Sequence, residues 1–251
     1  MEKIGNELVS GYTSSKQNEL LFARDILKRN LENLGLKWRT HIPVFLGPSE
    51  VARMLWFDYL VQKIIEIPGI VVEFGSQWGA SFATINSLLQ IHDTWNPSRR
   101  LISFSTFSGG FMNVEKNIDG SLVSDGDYAV NSEWLKNLQQ LMQINAMNSP
   151  IGNNTSIIEG DAMQTFEEFL ATEPNVVISM VHFDMDIYKP TKRVLELCLS
   201  RMPKGSLLVF DEINHPGFPG ETQALDEVLG VKSCKLRRSK LQPYSAYIVV
   251  D

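Results

Sequence analysis

Two short apolar runs each end in a pair of carboxylates: VVISMVHF leads into Asp184 and Asp186, and SLLVF leads into Asp211 and Glu212. Runs of this kind, rich in β-branched and aromatic residues and too apolar for an exposed edge, read as buried parallel strands. The acids then stand at strand exits, the rim at which open α/β sheets bind their ligands. Four like charges converging there cannot all stay ionised unless a cation joins them or one of them takes a proton. The economical chemistry is a hard-metal site plus a general base. The alternative is that one or two of these acids cap the helices that follow, or pair with Lys192 and Arg193.

A second constellation lies upstream. VVEFGSQWGAS (71–81) reads as a buried strand, a tight glycine turn and a helix start. Gly75 and Gly79 would let the backbone pass close to a ligand, and the amides from Ser76 through Trp78 to Ser81 could receive a carboxylate or another polar group. This is not the GxGxxG dinucleotide fingerprint. Glu73, an acid at the end of that strand, fits an amine-bearing, cationic ligand better than a pyrophosphate. A further acid-bearing turn, Asp161-Ala162, follows the strand that ends IIEG.

The elements that must position these residues follow from periodicity. Strands are expected near 70–75, 101–105, 155–159, 176–184 and 205–211, with helices near 79–92, 131–147, 162–172 and 189–202 between them. Such a βαβ series implies a mostly parallel sheet with helices on both faces. Residues 233–250 read as a terminal hairpin turning at Gln242-Pro243. Ahead of the series, helices are expected over 19–34, with Gly35 as its stop, and over 48–66, where Pro48 and Pro68 frame a stripe of Val51, Leu55, Leu60 and Ile64. The chain divides into an N-terminal helical extension, 1–68, and a Rossmann-like domain, 69–251. The Gly-, Ser- and Asp-rich stretch 106–130 has no clear period and reads as a lid or substrate loop.

Composition narrows the function further. A formal charge of −6 over 251 residues disfavours a nucleic-acid partner, although KLRRSK (235–240) is a local basic stretch. No segment approaches 18 uninterrupted apolar residues, and the N-terminus has no apolar signal core, so a cytoplasmic protein away from membranes is expected. Cys198 and Cys234 have neither metal-ligand spacing nor a disulfide framework.

The motifs in their order resemble a family: GPSEVARMLWFDYLVQKI (47–64), VVEFGSQWGAS, ISFSTFSGGF (102–111), EGDA (159–162), HFDMDIYKPTK (182–192), MPKGSLLVFDE (202–212) and FPGET (218–222). Over about residues 45 to 250 the chain resembles the macrocin O-methyltransferases, class I enzymes that use S-adenosylmethionine and a divalent metal, most simply Mg²⁺, to methylate sugar hydroxyls. The resemblance implies a seven-stranded Rossmann-like sheet, a sugar or sugar-bearing small molecule as acceptor, and a homo-oligomer. It implies metal ligation by Asp184, Asp211 and Glu212, and proton abstraction by Asp186. Glu73, Gly75, Gly79 and Asp161 match cofactor positions, to which Ser76, Trp78, Ser81, Ser105 and Ala162 are added from the same turns. His215, just past the second acid pair, competes with Asp186 for the base role.

The sequence departs from the family at one position. Where relatives carry Phe-Asp-Thr-Phe, with the aspartate on the cofactor ribose, this chain has Phe104-Ser105-Thr106-Phe107. Three readings follow: weaker cofactor binding, a substitute acid such as Glu115 or Asp119, or a domain that binds without catalysis. Retention of all the metal acids favours the first two.

Overall fold

Alternation along Ile70–Phe74 (β1) sends Ile70, Val72 and Phe74 to one face of a sheet and Val71 to the other, and every one of these residues is buried. A fully buried strand must be covered twice, and it is. The structure is a computed structural model describing residues 2–4, 7–9 and 14–251. After β1 the chain runs through α3 (Ala80–His92), β2 (Leu101–Ser105), α4 (Trp134–Asn145), β3 (Thr155–Glu159), α5 (Ala162–Thr172), β4 (Ile178–Phe183), α6 (Tyr188–Leu199), β5 (Leu207–Phe210), α7 (Gly220–Leu229), β6 (Arg237–Arg238) and β7 (Ala246–Val249). The preceding segment holds α1 (Ser14–Asn30) and α2 (Pro48–Ile64). A short antiparallel strand pair, Glu2–Ile4 with Glu7–Val9, precedes α1.

The main sheet has the spatial order β3-β2-β1-β4-β5-β7-β6. The first five strands are parallel; β7 runs antiparallel to β5 and pairs with β6. This is the seven-stranded α/β architecture expected from the motifs. The order reverses between β1 and β4, so the crevice beyond their carboxyl ends is where a ligand site is expected.

One core layer joins the sheet to α5, α6 and α7 through Phe74, Phe104, Phe166, Val194 and Leu225. The other joins it to α2, α3 and α4 through Phe57, Leu60, Phe82, Ile85 and Leu138. In α2 the expected stripe is half right. Leu60 and Ile64 are buried, but Val51 and Leu55 are exposed, and the inward face is completed by Trp56, Phe57 and Val61. Tyr59 stays largely exposed, bonding its hydroxyl to that of Tyr247. No side chain between residues 16 and 47 is buried. The helix placed at 19–34 spans Ser14–Asn30 instead, and Gly35 lies five residues beyond its end, inside a kinked 3₁₀ segment at φ 58°. The helix α7 was not foreseen, because GETQALDEVL follows a Pro- and Gly-rich loop and carries few apolar residues.

Candidate active site

Four loops leave the carboxyl ends of β1, β2, β3 and β4 and enclose a cavity of about 280 Å³. Gly75, Ser76, Trp78 and Ser81 contribute from the first, Ser105 from the second, Asp161 and Ala162 from the third, and Asp184 and Asp186 from the fourth. Nine of the residues singled out from the sequence therefore meet on one surface. The stretch 106–130 closes over it, with Gly110, Phe111, Met112 and Tyr128 in the wall. That loop is fastened to its surroundings. Phe111 and Asp127 share backbone bonding, Val123 packs with Ile187 and Phe218, and Tyr128 lies between Phe111 and Phe218.

The two turn glycines serve the chain's own packing, and Gly75 also lines the cavity. Gly75 sits at φ +92°, and a Cβ there would lie 1.8 Å from the Asp184 carbonyl oxygen. Its absence is what lets the β1 and β4 loops touch. A Cβ on Gly79 would meet Leu138 of α4 at 2.7 Å. Neither Gly79 nor Glu73 lines the cavity. Glu73 is fully buried under the turn, bonded to the Ser76 hydroxyl and facing His182 Nδ1 at 3.2 Å.

His182, two residues before Asp184 on β4, is part of a charge network. Its Nε2 lies 3.9 Å from Asp211 Oδ1, too far for a hydrogen bond. Burial alone would depress its pKa, but Asp211 and Glu73 outweigh this and hold it up at about 10. Asp211 in turn accepts 2.9 Å bonds on both oxygens from Arg53 Nη1 and a 2.8 Å bond from the Ser245 hydroxyl. Burial works against its ionisation, yet Arg53 and His182 keep its pKa well below the ordinary carboxylate range. Arg53 Nη2 reaches Asp184 Oδ2 at 3.0 Å and Ser81 Oγ at 2.9 Å. Burial and Asp211 raise Asp184 to about 6 despite that guanidinium.

The remaining acids carry protons more readily. Glu212 is raised to about 9 by burial and by Asp211, and its Oε2 is buried with no hydrogen-bond partner. Asp186, in the cavity wall at φ 61°, is pushed well above the ordinary value by burial and by Asp184. The capping alternative for Asp186 does not hold. The first amide of α6, Tyr188 N–H, is held by Asp119 Oδ1 at 2.7 Å. Lys192 and Arg193 do not serve the rim either: they pair with Glu227 at 2.7 Å and Glu167 at 3.0 Å. Tyr188 donates to Glu227 and so braces α7.

The substitutes considered for the missing ribose carboxylate lie elsewhere. Asp119 is 1% exposed and engaged with the Tyr188 and Glu115 amides, and Glu115 is outside the cavity wall. Ser105 is thus the polar side chain that β2 presents there. His215 stands off the cavity, its ring against Tyr244 and Phe218 and its Nδ1 accepting the Gly217 amide. Burial lowers its pKa. His92, at the end of α3, faces Asp58 at 2.7 Å.

Three functional contributors escaped the sequence. Arg53 and Glu221 lay inside quoted motifs without a role, and Ser245 lay in the terminal hairpin. Glu221, fully buried on α7, accepts the amides of Met185, Asp186 and Glu212, so a single carboxylate ties both acid-bearing loops together. The donor chemistry of Asp184, Asp211 and Glu212 is all oxygen, and an orphaned buried oxygen on Glu212 is what a hard cation would satisfy. Their arrangement is closed by Arg53, and among the described residues no three acid, histidine or cysteine side chains are grouped to hold a metal ion.

Comparison with known proteins agrees with the geometry. The solved structure of CalS11, titled a calicheamicin methyltransferase, is 28% identical and superposes with a TM-score of 0.87 over 99% of each chain. An apo structure of CalS11, titled a TDP-rhamnose 3'-O-methyltransferase of calicheamicin biosynthesis, gives 26% identity and a TM-score of 0.81 over 96% of each. The O-methyltransferase NovP shares the fold at 18% identity, with a TM-score of 0.63 over 82% of this chain and 81% of its own. A search of curated protein sequences found no significant match. Among the described residues no helix is long and apolar enough to cross a membrane. A methyltransferase domain model matches residues 72–213, more than half of the chain and all four loops of the cavity, and the protein belongs to that family as an S-adenosylmethionine-dependent methyltransferase.

Proposed function

We propose that this protein transfers a methyl group from S-adenosylmethionine to a hydroxyl of a sugar, carried on a nucleotide or on a larger metabolite. The observation that carries the reading is the likeness to CalS11 along the whole of both chains, not merely across the shared domain. When bound, the cofactor supplies an electrophilic methyl, and a divalent cation, most simply Mg²⁺, would polarise the acceptor oxygen. Asp184, Asp211 and Glu212 are the residues that would hold such a cation.

The chain's own residues supply the rest. The turn Gly75–Ser81, with Ser105 and Asp161 beside it, forms the wall against which the cofactor is held. Ser105 offers one neutral hydroxyl where a carboxylate could accept two charge-assisted bonds, which predicts weaker ribose binding by a few kcal/mol at most. Asp186 is the base, because it lies in the cavity wall and His215 does not. Glu221 holds the Asp184–Asp186 loop and Glu212 in register, so its role is positioning. The loop 106–130 excludes water from the reacting atoms. Exposed apolar side chains in the N-terminal segment, among them Phe22, Leu36 and Val44, support self-association.

The test is turnover of S-adenosylmethionine with a panel of nucleotide sugars, comparing wild type with Asp186→Asn. Loss of turnover with cofactor binding unchanged is expected. An Asp186→Asn variant that still turns over would remove Asp186 from the base role, and wild type that methylates none of the sugars would overturn the acceptor assignment.

A further inference from the structure

Arg53 occupies the space that the cation reading assigns to a metal. Its two terminal nitrogens lie 2.9 Å from both oxygens of Asp211 and 3.0 Å from Asp184, bridging two of the three proposed ligands. A divalent ion needs lone pairs of those same carboxylates at about 2.0–2.1 Å for Mg²⁺. An ion seated between the two carboxylates, where the guanidinium now lies, has to displace it, and the two positive charges repel each other.

The helix that carries Arg53 is built so that this side chain can leave. No residue from Pro48 to Leu55 is buried, and the first anchored side chain of α2 is Trp56. From Trp56 onward Phe57, Leu60, Val61 and Ile64 fix the helix in the core. The arginine is held by the acids, by Ser81 and by the Phe57 ring, whose centroid lies 5.2 Å from its guanidinium carbon. It also carries the one positive charge among the residues lining the cavity.

We propose that Arg53 is a built-in counter-ion that keeps the Asp184–Asp211 pair closed until a divalent cation displaces it, so that cation binding and the Arg53 bridge are mutually exclusive. This rests on the cation reading given under the proposed function. The bridged state lowers apparent cation affinity by the fraction of molecules in which the pair is open. If that fraction is about one tenth or less, removing the bridge tightens binding by about tenfold or more.

The experiment is a calorimetric titration of Mn²⁺ into the full-length wild type, Arg53→Gln, Arg53→Lys and Asp211→Asn, with thermal melting in chelator and in Mn²⁺. Arg53→Gln should bind Mn²⁺ about tenfold or more tighter than wild type, with Arg53→Lys between them and Asp211→Asn abolishing the heat. Arg53→Gln should also melt below wild type in chelator and recover more than wild type on adding Mn²⁺. Equal or weaker Mn²⁺ binding by Arg53→Gln overturns the competition while leaving the cation reading standing. No binding by wild type or by either arginine variant overturns both. Should Arg53→Gln fail to fold, the Arg53 Nε–H resonance of labelled wild type decides: it must shift on saturation with Mg²⁺, and an unmoved resonance refutes displacement.

Discussion

Glu221→Gln is the substitution whose consequence follows most directly from the structure. The wild-type carboxylate is fully buried and accepts amides at 3.3 Å from Met185, 3.4 Å from Asp186 and 3.1 Å from Glu212. Burial, helped by Asp211 and Asp184, raises its pKa from the ordinary 4.5 to about 8, the Glu212 and Asp186 amides only partly offsetting this. The folded state thus binds a proton more tightly than the unfolded chain does. Stability from this group is fully present below about pH 4.5 and is lost as pH rises through about 8. At about 1.4 kcal/mol per unit, ionising it costs the folded state roughly 4–5 kcal/mol, an upper figure because neighbouring acids share the proton. The glutamine cannot ionise, so that part of the pH dependence disappears. Its amide group must turn one N–H face toward a backbone N–H, at a cost of about 1–3 kcal/mol that is independent of pH. Denaturant unfolding in chelator between pH 5 and 9 is the assay. The wild-type midpoint should fall steeply with pH, and the variant, less stable at pH 5, should fall less and equal or exceed wild type by pH 9. Parallel curves would refute the claim that Glu221 titrates while buried.

Three further outcomes are expected. Gly75→Ala places a methyl 1.8 Å from the Asp184 carbonyl at a φ of +92°, so loss of several kcal/mol or failure to fold is expected, read by expression and melting. Arg99 is 4% exposed and serves Asp93, Ser179 and the carbonyls of Gly69, Ile64 and Ile65; Arg99→Met should cost about 3–5 kcal/mol in unfolding free energy without altering cofactor affinity in the folded fraction. Asp119→Ala should free the 106–130 loop, since the Tyr188 and Glu115 amides lose their acceptor, and limited proteolysis should cut that loop faster while the melting temperature drops modestly.

The central strands β1, β2, β4 and β5 were legible because each is a short, largely apolar run, and a fully buried parallel strand leaves no other pattern. Nine of the predicted site residues converge because strand exits fix them irrespective of loop detail. What was not legible depended on partners distant in sequence. Arg53 sits on an ordinary amphipathic helix, and nothing local says that it reaches Asp184 and Asp211, more than a hundred residues away. Glu221 stands in the first turn of a helix that follows a Pro-Gly loop and has too few apolar residues to announce itself. Gly75 and Gly79 were read as making room for a ligand; Gly75 does line the cavity, and nothing in the sequence signals that both also make room for the Asp184 carbonyl and the Leu138 side chain. Nothing in the apolar strand that carries His182 hints that Glu73 and Asp211 flank it.

The most direct measurement of the central claim is mass spectrometry of the acceptor after incubation with S-adenosylmethionine, Mg²⁺ and a panel of nucleotide sugars including dTDP-linked deoxyhexoses. The account expects one member of the panel to gain a single methyl on a ring hydroxyl, with stoichiometric S-adenosylhomocysteine. Cofactor binding without methylation of any sugar, or a methyl found on nitrogen or carbon of another acceptor, would contradict it.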